Sequence, residues 1–350
     1  MRSAVALAVL VFAPILALAC GDDSEEPQAG PPGGSSGGPE GGAVDEAGNP
    51  IVPGSDSGGP PVDAGSGRGF PEHAPWVSYY GTAQKAGDLD KLANTFRIIN
   101  IEADPGLTNW KPEQIAKLKL GGKNRVISYM NVGACESFRS YWKDVPAGFV
   151  SCNANTAAKL GDYHGFPNEQ WMDPSNADYQ KLIVDHVATR LAATGVDGFF
   201  LDNLELLEHK PNSTNGPCSA ACRQGGFDLV RKLREKFPNL LFVQQNATGE
   251  EVRTGMTGGV PYPSLLDGIS HEDIYEPSYQ KPVEEDHLKW RALGFKPGGR
   301  EFWLGTEDFV GDCNNSSAAK PVYDKSRAKG FSPYVTDESG GQQVICYWGF

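Results

Sequence analysis

The chain is poor in positive charge. Its 31 Lys and Arg are outnumbered by 44 Asp and Glu, leaving a formal net charge of -13. Such a surface repels phosphate backbones, so no nucleic-acid partner is expected. Metal-binding spacing is missing as well. There is no pair of Cys-x-x-Cys motifs and no histidine pair, and the six histidines are scattered. No metal and no cofactor is therefore expected. The phosphate loops G-x-G-x-x-G and G-x-x-x-x-G-K-[ST] do not follow the first apolar segment. Also lacking is an apolar run of the roughly 20 residues that cross a bilayer. The run Ala4 to Leu16 is short and contains Pro14.

That run has another reading. With Arg2 ahead of it and Ala17-Leu18-Ala19 behind, residues 1–20 read as an export signal. Cys20 directly after the small residues fits a bacterial lipobox and is the expected lipidation site. Ala17 and Ala19 also fit an ordinary A-x-A cleavage site, so simple secretion is the alternative. Gly21 rather than Asp follows Cys20, which points to the outer membrane or cell surface, with the lipid as the only expected membrane contact. Residues 21–70 hold 15 Gly and 8 Pro, and their only large apolar residues are Val44, Ile51, Val52, Val62 and Phe70. That composition cannot offset the entropy of ordering, so a disordered Gly/Pro-rich linker is expected. The linker carries nine acids and one base, which leaves 35 acids and 29 bases in 71–350, a net of -6.

Six cysteines follow Cys20, enough for three disulfides in an exported chain. Sequence alone allows about 15 pairings. The most local set, Cys135–Cys152, Cys218–Cys222 and Cys313–Cys346, is the expected one.

Residues 71–350 alternate apolar runs with helical patterns. The runs start at Trp76, Phe96, Val126, Gly198, Leu240, Gly268, Phe302 and Phe331. The clearest helical patterns cover 176–194 and 227–237. Apolar strands separated by helices indicate a parallel sheet covered on both faces. Eight such units predict one α/β domain, a (β/α)8 TIM barrel, with a doubly wound open sheet as the alternative.

Most of these runs end in polar groups: Tyr80, Glu102 with Asp104, Asn131, Asp202-Asn203, Gln245-Asn246, Glu272-Asp273 and Glu307-Asp308. In a barrel such ends converge on one mouth, where active sites form. A mouth of carboxylates, amides and aromatics without a basic cluster suits a sugar. Two carboxylates flanking a glycosidic bond can cleave it, one as acid and one as nucleophile or base. Asp202 emerges from Phe199-Phe200-Leu201, and Glu272 stands beside a like charge at Asp273; these two are the expected catalytic pair. Tyr80, Tyr129, Tyr275 and Trp303 are candidate sugar platforms, though mid-strand Trp303 suits barrel packing equally. Asn131, Asn203, Gln245 and Asn246 are candidate partners for hydroxyls or amines, and Glu102, Asp273 and Glu307 complete the expected substrate-binding set.

These residues resemble glycoside hydrolase family 114, the endo-α-1,4-polygalactosaminidase-like barrels. Asp197-Gly198-Phe199-Phe200-Leu201-Asp202-Asn203 is similar to the family's strand-4 signature. Ile127 to Gly133 with Glu136 and Arg139 resembles its strand-3 motif, Trp171-Met172-Asp173 its W-x-D motif, and His271-Glu272 its acidic position after strand 6. Where the family's strand 5 often ends in Lys-Asn, this chain has Gln245-Asn246. The resemblance implies an exported TIM-barrel enzyme in which Asp202 and Glu272 cleave an α-linked, galactosamine-containing polysaccharide. A monomer is expected. A non-catalytic carbohydrate-binding lipoprotein and another polysaccharide-modifying enzyme on the same barrel are the alternatives.

Overall fold

A computed structural model describes residues 68–350. The expected signal segment, Cys20 and the linker as far as residue 67 lie outside the described residues. One sheet organises the rest. Its strands are β1 (Trp76–Tyr79), β2 (Ile98–Ile101), β3 (Arg125–Asn131), β4 (Gly198–Asp202), β5 (Leu241–Gln245), β6 (Gly268–Glu272), β7 (Trp303–Val310) and β8 (Ser332–Asp337). They are hydrogen-bonded in chain order from β1 to β8, every ladder parallel. β8 returns to lie beside β1. This is the expected (β/α)8 barrel.

The strands form where the sequence can be buried on both faces. In β2, Ile98, Ile99 and Ile101 are all fully buried, and so is the one polar member, Asn100. The Asn100 amide nitrogen donates to Ser78 Oγ and to the Tyr80 hydroxyl, each at 3.1 Å. Aromatic rings fill one end of the barrel. Trp76 lies edge-on to Trp303 at 5.3 Å, 5.9 Å from Tyr334 and 6.2 Å from Phe200. Trp303 is thus barrel packing and not a sugar platform. Phe70, at the end of the expected linker, is buried against Trp303 at 5.3 Å. Arg68 Nε lies 2.7 Å from buried Asp267. The ordered body therefore includes Arg68 to Phe70.

The helix over Ala220–Lys236 starts earlier than the apolar pattern suggests, with Ser219 as its cap: the Ser219 hydroxyl accepts from Cys222 N. Between β3 and the helical run that begins at Ala177, the chain makes an excursion of three short antiparallel strands. These are Ala134–Glu136, Lys159–Asp162 and Glu169–Met172, with the last in the middle. Because it leaves from the C-terminal end of β3, the excursion stands at the barrel mouth. The disulfide Cys135–Cys152 ties it together, and Cys218–Cys222 and Cys313–Cys346 are also formed.

Candidate active site

Three successive strands end in the same way. Asn203, Asn246 and Asp273, the first residues after β4, β5 and β6, all have left-handed backbones with φ of +62°, +63° and +55°. Asn and Asp tolerate this region better than other non-glycine residues. Each sharp turn leaves the last strand residue, Asp202, Gln245 or Glu272, at the end of a straight ladder. Space there is tight. A Cβ on Gly133 would sit 1.8 Å from the carbonyl oxygen of Asn203. Val132 N also donates to Asp202 O at 3.1 Å, which locks the exits of β3 and β4 together.

Above these exits lies a cleft of about 310 Å³. Tyr80, Glu102, Tyr129, Asp202, Asn203, Gln245, Asn246 and Glu272 line it, as expected of barrel-mouth residues. The excursion adds Glu136, Arg139, Tyr163 and Glu169, and residues 340–343 form another wall.

Acids dominate the lining: Glu102, Glu136, Glu169, Asp202 and Glu272 against one base, Arg139. That base is committed. Arg139 is buried, donates to Glu102 at 2.6 Å, binds both oxygens of Glu136, and lies 3.7 Å from Asp104. Its charge holds Glu102 and Glu136 in place and leaves little for a ligand.

Asp202, Glu169 and neighbouring Glu205 are harder to ionise. Burial, and then the charge of Glu272, push Asp202 up to about 7 from its ordinary value. The Tyr129 hydroxyl and Asn203 N act against this by hydrogen-bonding its carboxyl. Burial and the charges of Glu136 and Asp202 also raise Glu169. Asn131 and Asn203 partly offset that by donating to one Glu169 oxygen at 3.3 and 3.2 Å. Glu205, just beyond the β4 exit, is raised by burial and by Asp202, and accepts from the Tyr163 hydroxyl at 2.9 Å. Glu272 is gripped on both oxygens. Asn246 Nδ2 donates to Oε2 at 2.9 Å and Gln342 Nε2 to Oε1 at 3.3 Å. Chemically, the arrangement can hold one carboxyl protonated near neutral pH opposite a second that is well supplied with donors, as glycoside cleavage requires.

Four expected substrate-binding residues lie outside the lining. Asn131 is fully buried, and its amide supports Glu169 and accepts from Ala134 N. Glu307 is fully buried, paired in register with Glu272 across β6 and β7. Asp273 is exposed. Tyr275 is buried in a separate apolar cluster with Val310 and Val322, and its hydroxyl donates to Glu284 at 3.0 Å. Past Glu272 the chain runs into the apolar cluster around Val310 and Val322, and Tyr275 packs there instead of in the cleft. Conversely, the sequence reading passed over Glu169, Glu205 and Tyr163. Tyr163 and Glu169 sit in short polar segments ahead of the Trp171-Met172-Asp173 motif, whereas Glu205 lies in the apolar turn Leu204-Glu205-Leu206-Leu207 two residues after Asn203.

A family model for glycoside hydrolase family GH114 matches residues 70–247, a span that includes Asp202 and stops short of Glu272. An uncharacterised protein of Thermotoga maritima is 24% identical over 277 residues, covering 75% of this chain and 80% of that protein. One from Deinococcus radiodurans is 23% identical over 252 residues, covering 70% and 75%. Among solved structures, the glycoside hydrolase domain of PelA from Pseudomonas aeruginosa superposes with a TM-score of 0.57 at 17% identity, covering 77% of this chain and 96% of that one. Ega3 of Aspergillus fumigatus, solved in complex with galactosamine, superposes with a TM-score of 0.56 at 15% identity, covering 79% and 97%. The likeness to these two is one of fold. With the family match spanning half its length and an acid-lined cleft at the mouth of its barrel, the chain belongs to glycoside hydrolase family GH114.

Proposed function

We propose that this glycoside hydrolase cleaves an α-linked amino-sugar polysaccharide, in the manner of an endo-α-1,4-polygalactosaminidase, with Asp202 and Glu272 as its catalytic carboxylates. One observation carries the reading: Asp202 from β4 and Glu272 from β6 line the same cleft, close enough for the charge of Glu272 to hinder ionisation of Asp202. One carboxyl protonates the leaving oxygen. The other attacks the anomeric carbon or activates water from the opposite face. By analogy with other α-retaining barrels, Asp202 is the nucleophile and Glu272 the acid/base, so the proton that burial favours on Asp202 in the free cleft has to leave before attack. A bound cationic sugar would neutralise the surrounding acids and favour the ionised form of Asp202.

The substrate class rests on charge. Five acids and a single internally paired arginine favour a free amine over a carboxylate or sulfate. The galactosamine bound to Ega3, a protein of similar fold, is consistent with this. The enzyme is further proposed to work outside the cytoplasm, tethered through Cys20 or released, which suits its three disulfides.

The test is hydrolysis of partly deacetylated galactosaminan, with products read by mass spectrometry. Chain shortening is expected. Asp202→Asn and Glu272→Gln should each lower kcat by roughly 10³-fold or more while the fold is retained. Acetate release without shortening would instead identify a deacetylase, and binding without product a carbohydrate-binding protein.

A further inference from the structure

We propose that Gln342 is a positioning residue for Glu272, and that the Cys313–Cys346 disulfide anchors the strap that delivers it. The proposal rests on the reading of Glu272 as a catalytic carboxylate.

The strap follows β8 and lies outside the residues that the family model matches. Gly341, Gln343 and Val344 are exposed, yet Gln342 between them is only 4% exposed. Its backbone carbonyl accepts from Tyr80 N, just past the end of β1, at 2.7 Å. Its side-chain amide reaches the cleft and donates to Glu272 Oε1. Its backbone is left-handed, with φ +41°, an uncommon state for a glutamine. Such a conformation persists only where surrounding contacts fix it.

No helix or strand covers residues 338–350. Four residues past Gln342, Cys346 is bonded to Cys313 in the loop after β7, and Cys346 N donates to the Tyr334 hydroxyl at 3.2 Å. Beyond Cys346 the chain end is packed down, with Tyr347 against Phe96 at 5.7 Å and Trp348 Nε1 donating to Val335 O at 2.8 Å, so the disulfide is the covalent member of the contacts that hold the strap. The strap is thus pinned to β1 on one side and to the β7 loop on the other. The consequence falls on Glu272. The terminal torsion of a glutamate is broad and roughly two-fold. One donor, from Asn246, would leave the second oxygen free to swing. With Gln342, each oxygen has its own amide, and the carboxyl plane is set by β5 on one side and the strap on the other. Orientation errors of this kind cost catalysis up to about 100-fold.

The experiment compares kcat and KM on galactosaminan oligosaccharides across pH for the wild type, Gln342→Ala, Gln342→Glu and the Cys313→Ser/Cys346→Ser double variant. Gln342→Ala should lower kcat by about 10- to 100-fold with KM within about twofold, at every pH. Gln342→Glu should be worse than Gln342→Ala at pH 8, where it adds a carboxylate against Glu272 to those of Asp202 and Glu307 that already face it. It should recover toward wild type as pH falls and the new carboxyl becomes an O–H donor. A purely structural role would not separate the two variants by pH. Wild-type kcat in Gln342→Ala, or the same pH profile in both, overturns the proposal. The double serine variant should lose kcat to a similar degree, and the loss should not add to that of Gln342→Ala; additive losses overturn the anchor. Glu272→Gln separates the two layers. If it is inactive while Gln342→Ala is unimpaired, only the strap proposal fails. If it is fully active, the catalytic reading fails first.

Discussion

Asp202 is a residue whose place in the cleft works against the stability of the barrel. Its carboxyl, ordinarily ionised above about pH 4, is raised to about 7 by burial and by Glu272. The folded state therefore holds a proton that the unfolded state has released. Its favourable contribution is fully present below the ordinary carboxylate range and is lost as pH rises through about 7. Asp202→Asn removes that loss. The variant should melt higher than wild type at pH 8, by roughly 3 °C or more, and by much less at pH 4. Scanning calorimetry at the two pH values checks this; an equal shift at both would refute the linkage. That Asp202 and Glu272 would share a cleft was legible in the sequence because each is the last residue of a buried strand, and parallel ladders carry such residues to one mouth. Asp273 and Tyr275 misled for a local reason. Ile274 and Tyr275 draw the chain into a second apolar cluster with Val310 and Val322, and nothing in the letters Asp-Ile-Tyr tells that cluster from the barrel mouth. Glu169 was illegible because it reaches the site from an antiparallel excursion with no apolar pattern of its own.

The eight barrel strands fell within a few residues of their apolar runs, since double-faced burial demands near-continuous apolar sequence. Elements that obey other rules were missed. The helix Ala220–Lys236 begins seven residues ahead of the helical pattern over 227–237 and runs through Gly225-Gly226. Both glycines are sites of close packing: a Cβ on Gly225 would lie 2.3 Å from the Ser175 backbone, and one on Gly226 2.4 Å from Leu207. The junction between β3 and β4 uses the same device nearer the chemistry. Gly133→Ala would drive a methyl into the Asn203 carbonyl at 1.8 Å, against backbone that cannot rotate away. The variant should lose about 3 kcal/mol, at the upper end of overpacking costs, and its Tm should fall by several degrees. It should also lose kcat disproportionately, because the displaced residues adjoin Asp202 and carry the Asn203 amide that supports Glu169. Thermal melts and kcat measured on the same preparation check this. A stable variant with full activity would mean that the β3–β4 exit has more freedom than the hydrogen bond from Val132 N to Asp202 O implies.

At the scale of the whole molecule, most of the formal charge of -13 says little about the substrate. Residues 71–350 carry a net of only -6, and the rest lies ahead of the barrel. Long-range attraction from so weak a charge would be modest and largely screened at physiological salt, where the Debye length is about 8 Å. The cleft differs because its acids are local. Glu102 and Glu136 are balanced by Arg139, whereas Glu169, Asp202 and Glu272 share no lining base. Attraction for a cationic sugar should therefore act at short range and depend on salt only in part. Raising NaCl from about 50 to 500 mM should increase KM for fully deacetylated galactosamine oligomers by a few-fold, leave kcat nearly unchanged, and hardly affect the N-acetylated oligomers. Adding a free amine to each sugar should accordingly lower KM at low salt by more than it does at high salt. Equal salt responses for the two substrates would show that the acids are arranged for proton transfer alone, with the amine recognised by neutral groups such as Gln245 and Asn246.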